Sequence, residues 1–288
     1  MSPDAEPQGP HRDGHDQEGG HLADSAGQPW EGRSFQSNPH AADDGSADPA
    51  LLAALTAFRA GDGDEVAIVE AYRTARLLIP LVAEKGALRQ AQGPDRQAQG
   101  PDRDEHEVGP HGLPVDKTQE LSIVTVAAPD GRRILPVFTS VQAMQGWDPA
   151  ARPIPAGGVR TALAAAGDGT DLIVIDPGSD TEFVLRRPAL WAIGQGLAWE
   201  PSYRSPEVYA GLQRSISGEL AVIDLAVSPG DPSGRLRGPE LVVDLHLMAG
   251  LDQGELDAVL ARLARRWAAD DRIAVLVDSL SVKLQRGE

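Results

Sequence analysis

The stretch FVLRRPALWAIGQGLAW, residues Phe183–Trp199, decides the fold of this chain. It begins with residues typical of a β-strand, after which Pro188 can open a helix that Gly194 or Gly196 ends. An apolar run at Leu172–Ile175 precedes it across a turn, and we predict that the two strand segments pair. Strands that alternate locally with helices predict an α+β unit with a mixed sheet and flanking helices.

A second informative stretch, LSIVTVAAPDGRRILPVFTSVQAMQGW, covers Leu121–Trp147. Two β-rich runs, Leu121–Ala127 and Arg132–Phe138, flank a Pro-Asp-Gly turn and predict a hairpin. Ser140 is a suitable N-cap for a short helix that reaches Gln145.

Upstream of these stretches, the pattern predicts two helices and one strand. Asp48 as N-cap and Pro49 at the first helical position start the first helix. The second helix is predicted over Glu65–Thr74, and Leu77–Ala83 has the length of a strand. Because proline cannot donate to a ladder, Pro80 predicts that this strand lies at a sheet edge or carries a bulge.

After residue 203 the pattern changes and predicts a small α-β-β-α-β domain. Its segments, in chain order, are a helix at Pro206–Ile216, strands at Glu219–Ser228 and Glu240–Met248, a helix at Asp252–Ala268 and a closing strand at Arg272–Val277.

We therefore predict three parts: a disordered acidic tail at 1–47, an N-terminal domain at 48–203, and the C-terminal domain at 204–288. The N-terminal domain is interrupted at about 88–116 by a disordered insertion in which the heptad RQAQGPD occurs twice in tandem. Two copies are too few for a repeat architecture, so the duplication is interpreted as a lengthened loop.

Composition excludes several classes of function. The chain of 288 residues has a net charge of -17, which disfavours nucleic-acid binding because phosphates repel it. There is no cysteine, so thiol catalysis, thiolate metal sites and disulfides are excluded. The sequence offers no membrane-spanning run and no signal peptide, and we expect a cytosolic protein of a GC-rich bacterial gene.

The quoted stretches resemble the N-terminal domain of the SseB family, the bacterial enhanced serine sensitivity proteins. The resemblance is carried by Leu77–Ala83, LPVFTS at Leu135–Ser140, Trp147, VIDP at Val174–Pro177, and FVLRRPALWAIGQG at Phe183–Gly196. The region after residue 201 resembles, more weakly, the C-terminal extension of such proteins. The resemblance implies a fold and a link to serine sensitivity, and it implies no catalytic residues.

One candidate ligand site lies at the start of the predicted helix in the first stretch. Arg186 and Arg187 could hold an anion near a helix N-terminus, together with Thr139 and Ser140. The alternative, which we favour, is structural: the arginine stems pack on Trp191, or the guanidinium groups pair with Asp176 or Glu182. The tryptophans of the two stretches are interpreted as core or hinge packing, with an exposed patch for a partner as the alternative.

A candidate metal site comes from the C-terminal strands. Alternation places Asp244 and His246 on one strand face, while Asp224 lies on the preceding strand and Asp278 ends the last one. The alternative, which we favour, is the solvated face of an amphipathic sheet.

The sequence lacks the phosphate loops G-x-x-x-x-G-K-[ST] and G-x-G-x-x-G, and the nucleophile motifs G-x-S-x-G and S-x-x-K. We therefore expect no cofactor and a non-enzymatic interaction or regulatory protein, linked by the resemblance to amino-acid (serine) metabolism. Its partner is an unidentified protein or a small anionic or amino-acid ligand. The alternatives are a small-molecule or anion-binding domain and a metal-dependent hydrolase.

Overall fold

The computed structural model describes residues 43–83, 121–128 and 131–286. The predicted tail up to residue 42 and most of the predicted insertion, including both RQAQGPD copies, lie outside the described residues. The described part has helices, antiparallel strands and parallel strands, which confirms the α+β class.

The N-terminal part contains twelve of the described helices and strands. In chain order they are α1 (Pro49–Ala60), α2 (Glu65–Thr74), β1 (Arg76–Ala83), β2 (Leu121–Ile123), β3 (Val126–Ala127), β4 (Arg133–Val137), α3 (Val141–Trp147), β5 (Arg152–Gly157), α4 (Gly158–Gly167), β6 (Leu172–Ile175), β7 (Phe183–Leu185) and α5 (Arg187–Gln195).

These strands form two sheets. A mixed sheet has the order β3-β4-β6-β7, in which β4 and β6 are parallel and the outer pairs are antiparallel. The other sheet, β2-β1-β5, is antiparallel. Both predicted strand pairs are confirmed, although the run at Leu121–Ala127 divides into β2 and β3, which belong to different sheets.

The prediction for Pro80 is wrong, because β1 is the central strand of its sheet. Pro80 lies directly opposite Pro153 of β5. Neither residue has an N–H group, so the two form a non-hydrogen-bonded pair in which no donor is missing. In such a pair the backbone N of each residue points away from its partner, so Pro80 interrupts no hydrogen bond between β1 and β5.

Helix ends follow the predicted caps. The Asp48 carboxylate accepts from the N–H groups of Ala50 and Leu51, which satisfies the first turn of α1. Ser140 caps α3 through Ala143, and that helix continues to Trp147, two residues beyond the predicted end.

The C-terminal part begins with a short 3₁₀ helix at Ser202–Arg204. It continues with α6 (Pro206–Ile216), β8 (Val222–Pro229), β9 (Leu241–Leu247), α7 (Gln253–Ala269), α8 (Asp271–Leu276) and β10 (Leu280–Arg286). The sheet order is β10-β9-β8, with β8 and β9 antiparallel and β9 and β10 parallel. A parallel neighbour requires a crossover, which α7 and α8 provide.

The predicted strand at Arg272–Val277 is wrong, because most of this segment is the helix α8. The Asp270 carboxylate accepts from the N–H groups of Arg272 and Ile273, so it acts as an N-cap that starts a new helix directly after α7. The closing strand follows at β10, and the predicted α-β-β-α-β order holds with this one helix added.

The two largest clusters of buried apolar side chains fall on either side of residue 203. One draws its members from between Leu51 and Ile193, and the other from between Val208 and Val277. The division into domains at 48–203 and 204–288 stays a prediction. Separate apolar clusters do not establish it, because polar contacts that include buried charged residues join the two parts.

Candidate functional site

In the stretch Phe183–Trp199, the most buried charged residue is Arg186, which is 8% exposed. Its Nη2 donates to Asp231 Oδ2 at 2.9 Å and to the carbonyl oxygen of Gly238 at 2.9 Å. Its Nη1 donates to Asp278 Oδ2 at 3.1 Å. The arginine comes from the N-terminal part and both carboxylates come from the C-terminal part, so the ion pairs join the two. We call this group the arginine seam.

Asp278 has a second basic partner in the seam. Arg132 Nη1 lies 2.8 Å from Asp278 Oδ2, and the Asp278 side chain is only 3% exposed. A buried carboxylate is costly unless it is paired, and here two guanidinium groups from the N-terminal part pair with it.

Residues 230–239, which form most of the connection between β8 and β9, complete the seam by lying against strand β7. The Val184 N–H donates to the carbonyl oxygen of Gly234 at 2.8 Å. Gly234 has φ of 58°, and a Cβ there would lie 2.6 Å from the ring of Phe183, so only glycine permits this approach. Arg235 donates to two carbonyl oxygens of the turn between β6 and β7.

Two glutamates border a small cavity next to the seam. Glu240 accepts from the backbone N–H groups of Asp278 at 2.6 Å and Ser202 at 3.3 Å, and burial raises its pKa. The Tyr203 hydroxyl donates to Glu65 Oε2 at 3.4 Å. Burial, and then the nearby charge of Glu240, raise the pKa of Glu65 to about 7.

Glu65 therefore makes stability depend on pH. Because its pKa is higher in the folded chain, its contribution to stability is fully present below pH 4.5 and is lost as pH rises through about 7. We expect this group to lower the free energy of unfolding by about 3 kcal/mol between about pH 4 and pH 8. Urea unfolding at a series of pH values measures the effect.

The matched test compares two substitutions on helix α2. Glu65→Gln should remove this component of the pH dependence and raise stability above that of the parent chain at about pH 8. Glu70→Gln changes a carboxylate on the exposed face of the same helix, and its profile should follow the parent. Parallel profiles for all three proteins would contradict the assignment.

Arg187, next in sequence, has a different environment. Its Nη2 donates to the carbonyl oxygens of Ala274 at 3.0 Å and Val277 at 3.1 Å. It forms no ion pair with any residue that the structure describes. It borders an open, mainly apolar groove of about 600 Å³, which we call the α7–β10 groove. The other lining residues are Leu260, Ala264, Trp267, Ala268, Ile273, Ala274, Val277, Asp278, Ser279, Leu280 and Val282.

Thr139 and Ser140 take part in local contacts at the end of β4. The Thr139 N–H and hydroxyl each donate to the Asp176 carboxylate at 2.8 Å, and Thr181 donates to it at 2.9 Å. Asp176 is buried with φ of 46°, and burial raises its pKa. Across the described ranges, neither Thr139 nor Ser140 hydrogen-bonds to Arg186 or Arg187, so the four ligand candidates are not joined into one site.

The candidate metal residues are only partly brought together. Asp224 lies opposite His246 in the pairing of β8 and β9, and Asp244 has Lys283 Nζ at 3.8 Å. Asp278 belongs to the arginine seam instead. Among the described residues no group of three or more His, Asp or Glu side chains is placed to hold a metal ion.

The tryptophans of the two stretches differ in exposure. Trp147 packs on Phe138 with ring centroids 5.4 Å apart, and Trp199 packs against the larger apolar cluster. Trp191 is 47% exposed, so the packing interpretation is wrong for this residue.

Sequence reasoning missed Asp231, Glu240 and the contact made by residues 230–239. It predicts Asp176 or Glu182 as the acidic partner of the arginines, whereas Asp231 and Asp278 pair with Arg186. The only local signal was an acidic residue in a Gly/Pro-rich loop, which is also typical of an ordinary surface turn.

The described geometry defines an α+β protein in which Arg186 belongs to an internal network of ion pairs. Residues 51–192 match the family model of the SseB protein N-terminal domain. The chain therefore carries the N-terminal domain of the SseB family over these residues. The match ends before residue 201, so the resemblance of the later region to the C-terminal extension stays a prediction.

Two further comparisons add no relative. No curated protein and no solved structure matches the chain at a significant level. In the part of the chain that the structure describes, no helix has both the length and the apolar character needed to cross a membrane.

Proposed function

We propose that this SseB-family chain is a non-enzymatic interaction or regulatory protein that acts in the cytosol. The observation that supports the proposal is that the charged groups of the arginine seam pair with one another. Arg186 and Arg132 are directed at Asp231 and Asp278, and all four side chains neutralise one another. A catalytic charge must instead face the position where charge develops on a substrate.

The raised pKa values of the two glutamates next to the seam have a structural cause that needs no reaction. Glu65 and Glu240 are shifted by burial between the two parts of the chain, and the cavity they share has a volume of only about 30 Å³. This volume suits one or two water molecules and is too small for a substrate. The raised pKa values of these two carboxyl groups therefore support a packed polar contact between the two parts of the chain better than an active site.

One observation favours a second candidate, a small-molecule or anion-binding domain. Arg187 has no acidic partner in the described residues and borders an open groove whose volume is within the range of ligand sites. Arg186, the other arginine of this hypothesis, is already neutralised. The two candidates share the α7–β10 groove and differ in whether a protein or a free small molecule occupies it.

The experiment for the proposed function is a turnover screen combined with partner capture. The purified full chain is assayed against ester, phosphoester, peptide and glycoside substrates, beside Glu65→Gln. We expect no turnover from either protein, and a stable partner in affinity purification from the native host that binds again when both proteins are pure. Reproducible turnover that Glu65→Gln abolishes would overturn the proposal.

The link to amino-acid metabolism rests on the match to the SseB domain alone. A host strain that lacks the chain should differ from its parent in growth on graded serine, and re-expression of the chain should restore the parental response. Equal growth of both strains at every serine concentration would remove serine from the proposal.

A further inference from the structure

The C-terminal sheet has one regular edge that no described strand covers. β10 is the end strand of the order β10-β9-β8, and it pairs with β9 over all seven of its residues. The other end strand, β8, carries an irregularity between Val222 and Asp224, and such bulges discourage further pairing. The outer edge of β10 is thus the more regular template for an added strand.

The α7–β10 groove lies beside that edge. Leu260, Ala264 and Ala268 are spaced four residues apart on α7, so they form a stripe along one helix face. Leu280 and Val282 of β10 line the groove from the sheet. Ala264 and Ala268 are exposed, and their small side chains leave the space open.

Arg187 marks one end of this groove. Its two acceptors, the carbonyl oxygens of Ala274 and Val277, come just before β10 in the chain, so the guanidinium lies near the N-terminal end of that strand. Without an acidic partner among the described residues, it is complementary to a carboxylate supplied from outside.

We propose that the outer edge of β10 and the α7–β10 groove bind an extended peptide segment of a partner protein. The peptide runs antiparallel to β10, its main chain pairs with the strand, and alternate apolar side chains enter the groove. An antiparallel strand brings its C-terminal end to the N-terminal end of β10, so a terminal or near-terminal carboxylate meets Arg187. Strand addition of this kind derives affinity from main-chain hydrogen bonds and specificity from pockets for alternate side chains. The inference rests on the proposed function and names the chemistry of the partner.

The probe is a library of short random peptides displayed with free carboxyl termini, selected on the full chain. The best binders are then synthesised with a free acid or an amide terminus and measured by fluorescence anisotropy. Ala264→Trp fills the groove, and Ala261→Trp is the matched control because Ala261 is exposed on the same helix and does not line the groove. Hydrogen exchange of β10 reports main-chain pairing.

We expect selected peptides with alternating apolar residues and a carboxylate at or near the C-terminus. Ala264→Trp should weaken binding about tenfold or more, while Ala261→Trp should bind as the parent does. Arg187→Gln should remove the preference for peptides with a free carboxyl terminus over those with an amide terminus. Bound peptide should slow hydrogen exchange in β10.

Three results would overturn the inference. In the first, no peptide is enriched on the parent chain relative to the Ala264→Trp protein. In the second, the selected peptides have apolar residues at helical spacing. In the third, peptides bind but hydrogen exchange in β10 is not slower. None of them involves turnover, so they leave the proposed non-enzymatic function standing. Turnover in the substrate screen would instead remove that function, whatever the peptides do.

Discussion

Arg186→Met should lower the free energy of unfolding by about 3–5 kcal/mol, because removal of one partner leaves buried charges uncompensated. Asp231 would lose the guanidinium that lies 2.9 Å away, and its side chain is 3% exposed. Asp278 would keep Arg132 but lose one of its two basic neighbours. Urea unfolding followed by tryptophan fluorescence measures the loss.

Arg187→Met is the matched control for this prediction. The two arginines are adjacent, yet Arg187 is only partly buried and donates to two backbone carbonyl oxygens without an ion pair in the described residues. We expect its substitution to cost about 1 kcal/mol or less. Equal losses for both variants would show that the ion pairs of Arg186 do not stabilise the contact between the two parts.

The elements that the sequence predicts well are those whose ends carry local signals. The helices at Glu65–Thr74 and Pro206–Ile216 have their predicted bounds, because Asp64 and Ser205 cap their first turns through neighbouring N–H groups. Conversely, the pattern predicts a strand where α8 lies, because Ile273–Leu276 is an apolar run with two β-branched residues. The cap that decides its structure is a single aspartate, Asp270, which also ends α7.

The arginine seam could not be predicted for a different reason. Arg186 lies 45 residues from Asp231 and 92 residues from Asp278 along the chain. Periodicity and capping report contacts within a few residues, so they identify the helix that follows Arg186 and give no information about its partners. The sequence therefore indicated that the arginine pair matters, and only the fold shows that one member is structural and the other borders a groove.

Gly158→Ala should destabilise the chain by about 3 kcal/mol or more, since a backbone clash cannot be relieved by a side-chain rotation. Gly158 is the first residue of α4, and a Cβ there would lie 1.8 Å from the carbonyl oxygen of Tyr72 at the end of α2. Its N–H also donates to the carbonyl oxygen of Ala75 at 3.0 Å, so the helix cannot move away without losing that bond. A thermal melt should show a loss of roughly 6–12 °C.

Gly157→Ala tests whether the cause is this close approach or the loss of a glycine as such. Gly157 immediately precedes Gly158, has φ of -75°, and a Cβ there would meet no atom within 4 Å. Alanine is compatible with its backbone and reduces the freedom of the unfolded chain, but Gly157 is the N-cap of α4, where alanine is less favourable than glycine. We expect the two effects to oppose each other and to leave this variant within about 1 kcal/mol of the parent. A large loss at Gly157 would mean that the joint between β5 and α4 needs backbone freedom. A small loss at Gly158 would mean that α2 and α4 can separate at little cost, and the tight packing of these helices would then not hold the larger apolar cluster together.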